Sequence, residues 1–211
     1  NEAVRHVPHA ALSLKFFGYE LARALASALP PREGLAPMSV GLGWKPSTQA
    51  DIESDWVAYW ASQLGVPVIY HRKLWEHCYV LQALYDHGAL RAGARGVGFG
   101  CGTEPLASFF AARGAEVLIT DLEPDRQEAQ GWRNTNEHAT SLDAAFHAHL
   151  VSREVFDRNV SHRWADMNDI PGDIEGRDFC WSVCALEHVG SIAKGLAFIE
   201  NSLRTLKPGG V

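Results

Sequence analysis

The stretch 96–122 combines glycines and an acidic side chain at a spacing that suits binding of a nucleoside. Gly98, Gly100 and Gly102 follow a short apolar run, and they let the backbone turn sharply and approach a ligand closely. Asp121 stands about 20 residues beyond the first glycine, where a carboxylate can accept hydrogen bonds from ribose hydroxyls. This spacing predicts a binding site for a cofactor that contains adenosine.

The residues that complete the turn argue against two common nucleotide-binding motifs. A dinucleotide fingerprint that begins at Gly98 requires glycine at position 103, where the chain has Thr103. No Gly-Lys-Ser/Thr follows, so the turn is not a phosphate-binding loop either. Pyrophosphate binding, and with it a nicotinamide oxidoreductase, is therefore disfavoured.

The local sequence predicts the elements that position these side chains. Val97 and Phe99 belong to a first strand, and residues 116–120 form the next one. Between them, residues 106–112 carry an apolar helical face, and Pro105 suits the helix start. A strand, turn, helix and second strand in this order predict an α/β fold with a parallel sheet.

Three segments resemble motifs of the class I S-adenosylmethionine (SAM) methyltransferases. The turn Gly100-Cys-Gly-Thr resembles their motif I. The pair Asp166-Met167 resembles the end of their third strand, and residues 177–190 resemble the fourth strand and the loop after it. The Leu-Lys-Pro-Gly-Gly sequence at 206–210 resembles the turn before their fifth strand. The resemblance spans about residues 94–211, with its motifs in the family's order.

The resemblance implies a fold and a domain division. The fold is α/β, a Rossmann-like doubly wound sheet with helices on both faces, plus an N-terminal helical cap. Residues 1–90 would form the cap, and residues 91–211 the SAM-binding core. Only four candidate strands are visible in this sequence, and the family's sheet has more, so we expect the C-terminal strands to be missing from this chain.

The resemblance also implies which residues bind SAM and its product S-adenosylhomocysteine (SAH). Asp121 would bind the ribose, Asp166 the adenine amino group, and Met167 would pack on the adenine ring. The loop after the fourth strand would hold the amino-acid part of SAM. The predicted cofactor-binding residues are Gly98, Phe99, Gly100, Gly102, Glu104, Asp121, Leu122, Asp166, Met167, Ser182, Val183 and Cys184.

The chain departs from the family in the position of one acid. The family carries an acid two positions before its first turn glycine, where this chain has Gly98, and Glu104 replaces the usual third glycine. We hypothesise that the acid has moved across the turn and that Glu104 meets the ammonium group of SAM. The alternative is that Glu104 caps the following helix at its N-terminus.

Methyl transfer from a sulfonium is an in-line displacement that depends mainly on alignment of donor and acceptor. A base is needed only where the acceptor must lose a proton. His188 is the predicted base, and Glu187 is predicted to orient it or to bind the acceptor. Tyr70, His71 and Trp75 are predicted to bind the acceptor.

Several functions remain open at this point. The preferred one is O- or N-methylation of a small-molecule acceptor, such as a sugar or a secondary metabolite. Residues 184–190 also resemble the corresponding loop of cyclopropane fatty-acid synthases, so a lipid-modifying enzyme is one alternative. A non-catalytic SAM-binding protein is the other. No Asn/Asp-Pro-Pro-Tyr/Phe loop follows the fourth strand, which disfavours methylation of adenine or glutamine.

Composition limits the partners. The 211 residues carry a net charge of −6 and no long basic run, which disfavours nucleic acid as a substrate. No stretch approaches about 18 apolar residues, so we expect no membrane span. Four cysteines and ten histidines lack metal-ligand spacing; we expect no metal and a cytoplasmic location. The sequence does not predict the oligomeric state.

Helices are also predicted outside the core motifs. Residues 10–29 and 71–86 read as amphipathic helices, and the second would border the cofactor pocket. Further helices are expected at about 124–135 and 141–157. The second of these lies in an additional piece, residues 140–159, that we interpret as a lid or as part of the acceptor pocket.

Overall fold

The structure, a computed structural model, describes residues 6–28, 30, 32–123 and 142–211. Its sheet has four strands in the order β3-β2-β1-β4, and every neighbouring pair is parallel. The strands are β1 (Arg95–Phe99), β2 (Glu116–Asp121), β3 (Val160–Trp164) and β4 (Phe179–Trp181). The order runs outward from β1 in both directions, which confirms the predicted doubly wound α/β fold.

Helices precede the sheet and connect its strands. Before β1 lie α1 (Val7–Ser27), α2 (Gln49–Ile52), α3 (Asp55–Leu64) and α4 (Arg72–Asp86). In the described part of the chain, α5 (Leu106–Ala112) and α6 (Arg153–Asn159) lie between strands, and α7 (Ile192–Ser202) follows β4. No helix among the described residues is both long and apolar enough to cross a membrane.

One apolar cluster joins the N-terminal helices to the sheet. Trp60 of α3 lies edge-to-face with Phe109 of α5, with ring centroids 6.2 Å apart. The Trp60 indole donates a hydrogen bond to the buried Gln82 side chain of α4 at 2.8 Å. The same cluster contains Val117 of β2 and Phe179 of β4. Side chains from both sides of residue 90 therefore share one core. The division of the chain at residue 90 into a cap and a SAM-binding core stays a prediction.

The two faces of β1 are packed differently because successive side chains of a strand point to opposite faces. Val97 and Phe99 pack on one face in a small cluster with Phe198 of α7. Gly96 and Gly98 lie on the other face, under the rings of Phe179 and Trp181. A Cβ atom on Gly98 would lie 2.3 Å from the Cys101 sulfur and 2.4 Å from the Trp181 ring. These glycines therefore make room for aromatic rings of β4.

We expect Gly98→Ala to destabilise the fold by about 1–3 kcal/mol, because the added methyl group overpacks a site that has no space for it. Urea or thermal unfolding would measure the loss. Gly172→Ala is the matched control, since its Cβ would meet nothing within 4 Å. Equal stability of the two variants would contradict this account of β1.

Several helices differ from their predicted bounds. Helix α1 begins at Val7, before residue 10, and His71 caps α4 by accepting a hydrogen bond from the Lys73 amide. The helix predicted at 141–157 is wrong as a single element, because a 3₁₀ turn at Leu142–Ala145 and the later α6 replace it. Its Ala145 carbonyl accepts a hydrogen bond from the buried Ser108 hydroxyl of α5, at 2.9 Å.

Residues 142–159 belong to the segment that was predicted to be a lid or part of the acceptor pocket. Ala145 and Phe156 are fully buried in the main cluster. This segment therefore packs as part of the helical layer around α5. The helix predicted at 124–135 lies outside the described residues.

β4 is an outer strand of the described sheet, and Val211 lies beside it. Its amide donates to the Asp178 carbonyl at 2.9 Å, and its carbonyl accepts from the Cys180 amide at 2.8 Å. Val211 thus occupies the side of β4 away from β1, where the resemblance places a fifth strand.

Candidate functional site

A cavity of about 670 Å³ opens at the carboxyl ends of the strands. This edge is where open α/β sheets bind ligands, and the volume lies in the usual range for small-molecule sites. It gathers residues from the glycine turn, the ends of β2 and β3, the loop after β4 and the start of α4. The predicted site residues that line it are Gly100, Gly102, Glu104, Asp121, Leu122, Asp166, Met167, Val183, Cys184, Glu187 and His188.

Three predicted cofactor-binding residues lie outside the cavity wall. Gly98 is covered by Trp181 and Cys101, as described above. The Phe99 side chain is buried on the far face of the sheet against Phe198, with ring centroids 5.4 Å apart. The Ser182 hydroxyl donates to the Phe99 carbonyl at 2.9 Å. In this structure these residues support the strands beneath the site.

The glycine turn is fastened to the end of β2. Gly100 and Gly102 have φ values of 64° and 51°, in the left-handed region that glycine adopts without steric strain. The amides of Gly100 and Cys101 both donate to the Thr120 carbonyl, at 2.8 and 3.2 Å. The Gly102 amide donates to Asp121 Oδ2 at 2.9 Å. These bonds hold the turn and the Asp121 carboxyl together in the cavity.

Asp121 is 6% exposed, and its burial raises the pKa of its carboxyl to about 7. The hydrogen bond from the Gly102 amide opposes this rise in pKa. One carboxyl oxygen is occupied by that amide. The carboxyl as a whole remains on the cavity wall, as a ribose-binding acid requires.

Glu104 lies across the turn from Asp121, and its side chain is 8% exposed. Its Oε1 accepts a hydrogen bond from the indole nitrogen of Trp181. Burial, with a contribution from the Asp121 charge, raises the pKa of the Glu104 carboxyl to about 8, although the Trp181 bond opposes the shift. Helix α5 begins at Leu106 with Pro105 at its N-cap. The Glu104 carboxyl is thus held by Trp181 at the cavity wall.

Helix α4 adds a side chain that the sequence analysis did not single out. His77 lines the cavity, and its Nε2 is 3.9 Å from Glu104 Oε2. Burial lowers the pKa of His77 to about 4, so the imidazole is neutral at pH 7 and the contact is not an ion pair. Arg72 and Lys73 line the same wall. The prediction that this helix borders the pocket was the one signal that pointed to them.

Asp166, Met167 and Gly100 lie close together on the cavity wall near the end of β3. Asp166 Oδ1 accepts hydrogen bonds from the Asn168 amide and side chain, at 2.8 and 3.1 Å. A Cβ on Gly100 would lie 2.5 Å from the Ala185 methyl group and 3.4 Å from the Met167 sulfur. A side chain at position 100 would therefore clash with Ala185, so the turn needs glycine where it meets the loop after β4.

The loop after β4 is tied to α4 by a small polar cluster. Cys184 has a φ of 55°, which is uncommon for a residue other than glycine. Its thiol donates to Glu76 at 2.7 Å, and burial together with this bond raises the pKa of the thiol to about 12. Arg72 forms ion pairs with Glu76 at 2.6 Å and with Glu187 at 3.1 Å. The cluster holds Glu187 at the cavity rim.

The candidate catalytic residues lie on that rim. Glu187 and His188 belong to an exposed 3₁₀ turn, Leu186–His188, and both line the cavity. Tyr70 and His71 line a second cavity of about 420 Å³ instead. Trp75 is 9% exposed, packs against Tyr79 with the ring planes tilted by 46°, and lines neither cavity. The predicted acceptor residues are thus not brought into the cofactor cavity.

A parallel sheet, a glycine turn after its first strand, an acid at the end of the second and a cavity above them define a Rossmann-like nucleoside-binding protein. The family model described as "Methyltransferase domain" matches residues 97–211, more than half of the chain. The chain therefore belongs to the class I SAM-dependent methyltransferase family, whose cofactor is SAM.

Solved structures with a similar arrangement include a TehB-like SAM-dependent methyltransferase from Corynebacterium glutamicum, with a TM-score of 0.42 and 20% identity over 61% of this chain and 56% of that one. SAM-dependent methyltransferases from Thiobacillus denitrificans and Geobacter sulfurreducens, both in complex with SAH, give TM-scores of 0.35 and 0.38. They are 23% and 22% identical over 59% and 62% of this chain.

This chain spans 43% of the Thiobacillus protein and 44% of the Geobacter protein. No curated protein matches the sequence closely.

Proposed function

We propose that the protein transfers a methyl group from SAM to a small-molecule acceptor by O- or N-methylation, with a secondary metabolite or a sugar as the acceptor. One observation carries the proposal. Two buried carboxyls and the glycine turn converge on a cavity whose rim carries an imidazole and a carboxylate. Residues 1–90 would act as the cap of this site and residues 91–211 as its core.

The cofactor-binding roles follow from the chemistry of each part of SAM. Asp121 would accept hydrogen bonds from the ribose, and Asp166 from the adenine amino group. Met167 would pack on the adenine ring. Glu104 would accept from the ammonium group, as a buried carboxylate beside a cation.

The rim residues would serve the acceptor. His188 would take the proton that a hydroxyl or amino group loses as it is methylated. Glu187, held by Arg72, would bind the acceptor near the methyl group. The four cysteines are free thiols, which is consistent with the reducing cytoplasm as location, and we propose no nucleic-acid partner.

A lipid-modifying enzyme of the cyclopropane-synthase type is the second candidate. The apolar side chains that α1 leaves exposed favour it, because they offer a surface for an acyl chain. Release of SAH with a mass gain of one methylene on unsaturated phospholipid would distinguish this reaction from methylation of a small polar acceptor.

Calorimetric titration with SAM, SAH and NAD tests the proposed function, and we expect binding of both adenosyl ligands without NAD. Asp121→Ala should weaken SAM binding by about 1–3 kcal/mol, a factor of about 5 to 150, because it removes the acceptor of buried ribose hydroxyls. Asp121→Asn can still accept from the Gly102 amide and should also bind poorly. Exposed Glu123→Ala is the control and should bind as the wild type does. Wild-type affinity in Asp121→Ala would show that the ribose lies elsewhere.

A further inference from the structure

The second cavity lies under α1 and is called the α1 cavity here. Four residues of α1 line it: Gly18, Leu21, Ala22 and Leu25. Their spacing of i, i+3, i+4 and i+7 puts them on one face of the helix. Leu21 and Leu25 are 47% and 52% exposed, and α1 contributes no buried residue. The stripe therefore faces open space and not a packed core.

The opposite wall is formed by residues 47–49, Ile52 and residues 70–72. Two of its hydroxyl groups are occupied by neighbours. The Thr48 hydroxyl donates to Asp51 at 2.7 Å, and the Tyr70 hydroxyl donates to Glu53 at 2.7 Å. The hydroxyls of Thr48 and Tyr70 are thus already engaged, and the apolar part of the cavity is the stripe of α1 together with Ile52.

The first cavity, of about 670 Å³, is called the SAM cavity here. It and the α1 cavity share Arg72 as a wall. Its guanidinium is ion-paired with Glu76 on its own helix and with Glu187 on the rim of the SAM cavity. A molecule in the α1 cavity would therefore lie one side chain away from the rim where Glu187 and His188 stand.

We propose that the α1 cavity binds the apolar body of the methyl acceptor, and that the acceptor's hydroxyl or amino end points past Arg72 toward the SAM cavity. This inference rests on the proposed function and deepens it. The volume of about 420 Å³ and the apolar stripe select an uncharged, largely apolar small molecule over a sugar. The ion pairs of Arg72 leave its charge compensated, so the wall does not require an anionic acceptor.

The test fills the cavity and follows the binding of an apolar dye. A Cβ on Gly18 would meet nothing within 4 Å, so Gly18→Leu places its side chain in the cavity and also favours the helix. Ser13→Leu is the matched control, because five residues rotate it about 140° around the helix, away from the stripe. The dye is N-phenyl-1-naphthylamine, titrated by fluorescence into protein saturated with SAH.

We expect saturable binding of one dye molecule to the wild type, at least tenfold weaker binding to Gly18→Leu, and unchanged binding to Ser13→Leu. SAH binding, measured separately by calorimetry, should be equal in all three proteins. Failure of SAH to bind would reject the proposed function itself. Normal SAH binding with equal dye binding in all three proteins, or with no saturable dye binding, would overturn the α1 cavity as acceptor site.

Two other occupants of the stripe have their own signatures. A dimer in sedimentation velocity that Gly18→Leu alone dissociates would assign the stripe to a second copy of the chain. Cosedimentation with phosphatidylcholine–phosphatidylglycerol vesicles that Gly18→Leu alone abolishes would assign it to a lipid surface. Either result would overturn the proposal.

Discussion

Glu104→Gln is expected to weaken SAM binding by about 10- to 150-fold at pH 8, which corresponds to about 1.5–3 kcal/mol for a hydrogen bond to a charged group. The Gln side chain has nearly the same shape and can still accept a hydrogen bond from Trp181. What it loses is the negative charge that we propose faces the ammonium group of the cofactor. Titration calorimetry with SAH, whose amino-acid part is the same, measures the effect without turnover.

The pH dependence of binding isolates the charge. In the empty cavity the pKa of Glu104 is about 8, so the carboxyl is mostly protonated at pH 7 and must lose its proton when an ammonium group binds. Affinity should therefore rise about tenfold per pH unit between pH 6 and 7 from this group alone, since one pKa unit is worth about 1.36 kcal/mol. Asp121, with a pKa of about 7, makes the dependence of affinity on pH steeper below pH 7.

Calorimetry in buffers of different ionisation enthalpy counts the released protons. Wild type should release about one proton more than Glu104→Gln at pH 7. The groups that face Glu104 are His77 and Lys73 of α4, Cys101 of the turn and Asp121 of β2, and they are unchanged in the variant. Exposed Glu175→Gln is the control. The same slope and proton count in wild type and Glu104→Gln would remove Glu104 from the ammonium site.

The ligand-free protein gives an independent readout of the same group. Folding raises the pKa of Glu104 from an ordinary 4.5 to about 8, so the folded state binds more protons than the unfolded one between these values. Its contribution to stability is complete below about pH 4.5 and is lost as pH rises through 8. Glu104→Gln should therefore melt higher than wild type at pH 8 while it binds SAH less tightly.

His188→Ala is expected to lower the rate of methyl transfer by about 10²- to 10⁴-fold, the usual contribution of a general base, while SAH binding stays unchanged. The expected result follows from its place on the cavity rim next to Glu187, outside the part of the cavity assigned to adenosine. Transfer of labelled methyl from SAM into a small-molecule extract measures the rate.

The control for this variant is His87→Ala, which removes an exposed imidazole at the far end of α4. A wild-type rate in His188→Ala would show that acceptor alignment alone drives the reaction, as it can where no proton is lost.

Local patterns predicted the core of the fold well. The βαβ unit from β1 to β2 depends on short apolar runs, turn glycines and a helical face, all of which are contiguous in sequence. Asp121, Glu104 and Asp166 lie on the cavity wall because parallel strands bring their carboxyl ends to one edge. The family resemblance then supplied the identity of the cofactor.

The direction of individual side chains and the packing between segments distant in sequence could not be predicted from local patterns. Gly98 and Phe99 lie in the right strand, but one faces Trp181 and the other faces Phe198, and these partners are distant in sequence. His77 reaches the cavity only because α4 packs against the glycine turn. Tyr70 and His71 line the neighbouring α1 cavity because they lie just before the start of α4 at Arg72.

The contact between Gly98, Trp181 and Glu104 couples the effects of substitutions at these three positions. The indole can lie over β1 only because position 98 has no side chain, and the same indole holds the Glu104 carboxyl. An acidic side chain placed at position 98 would displace the ring and remove the hydrogen bond that holds Glu104. Substitutions at the three positions are therefore expected to have non-additive effects, because each one changes the surroundings of the other two.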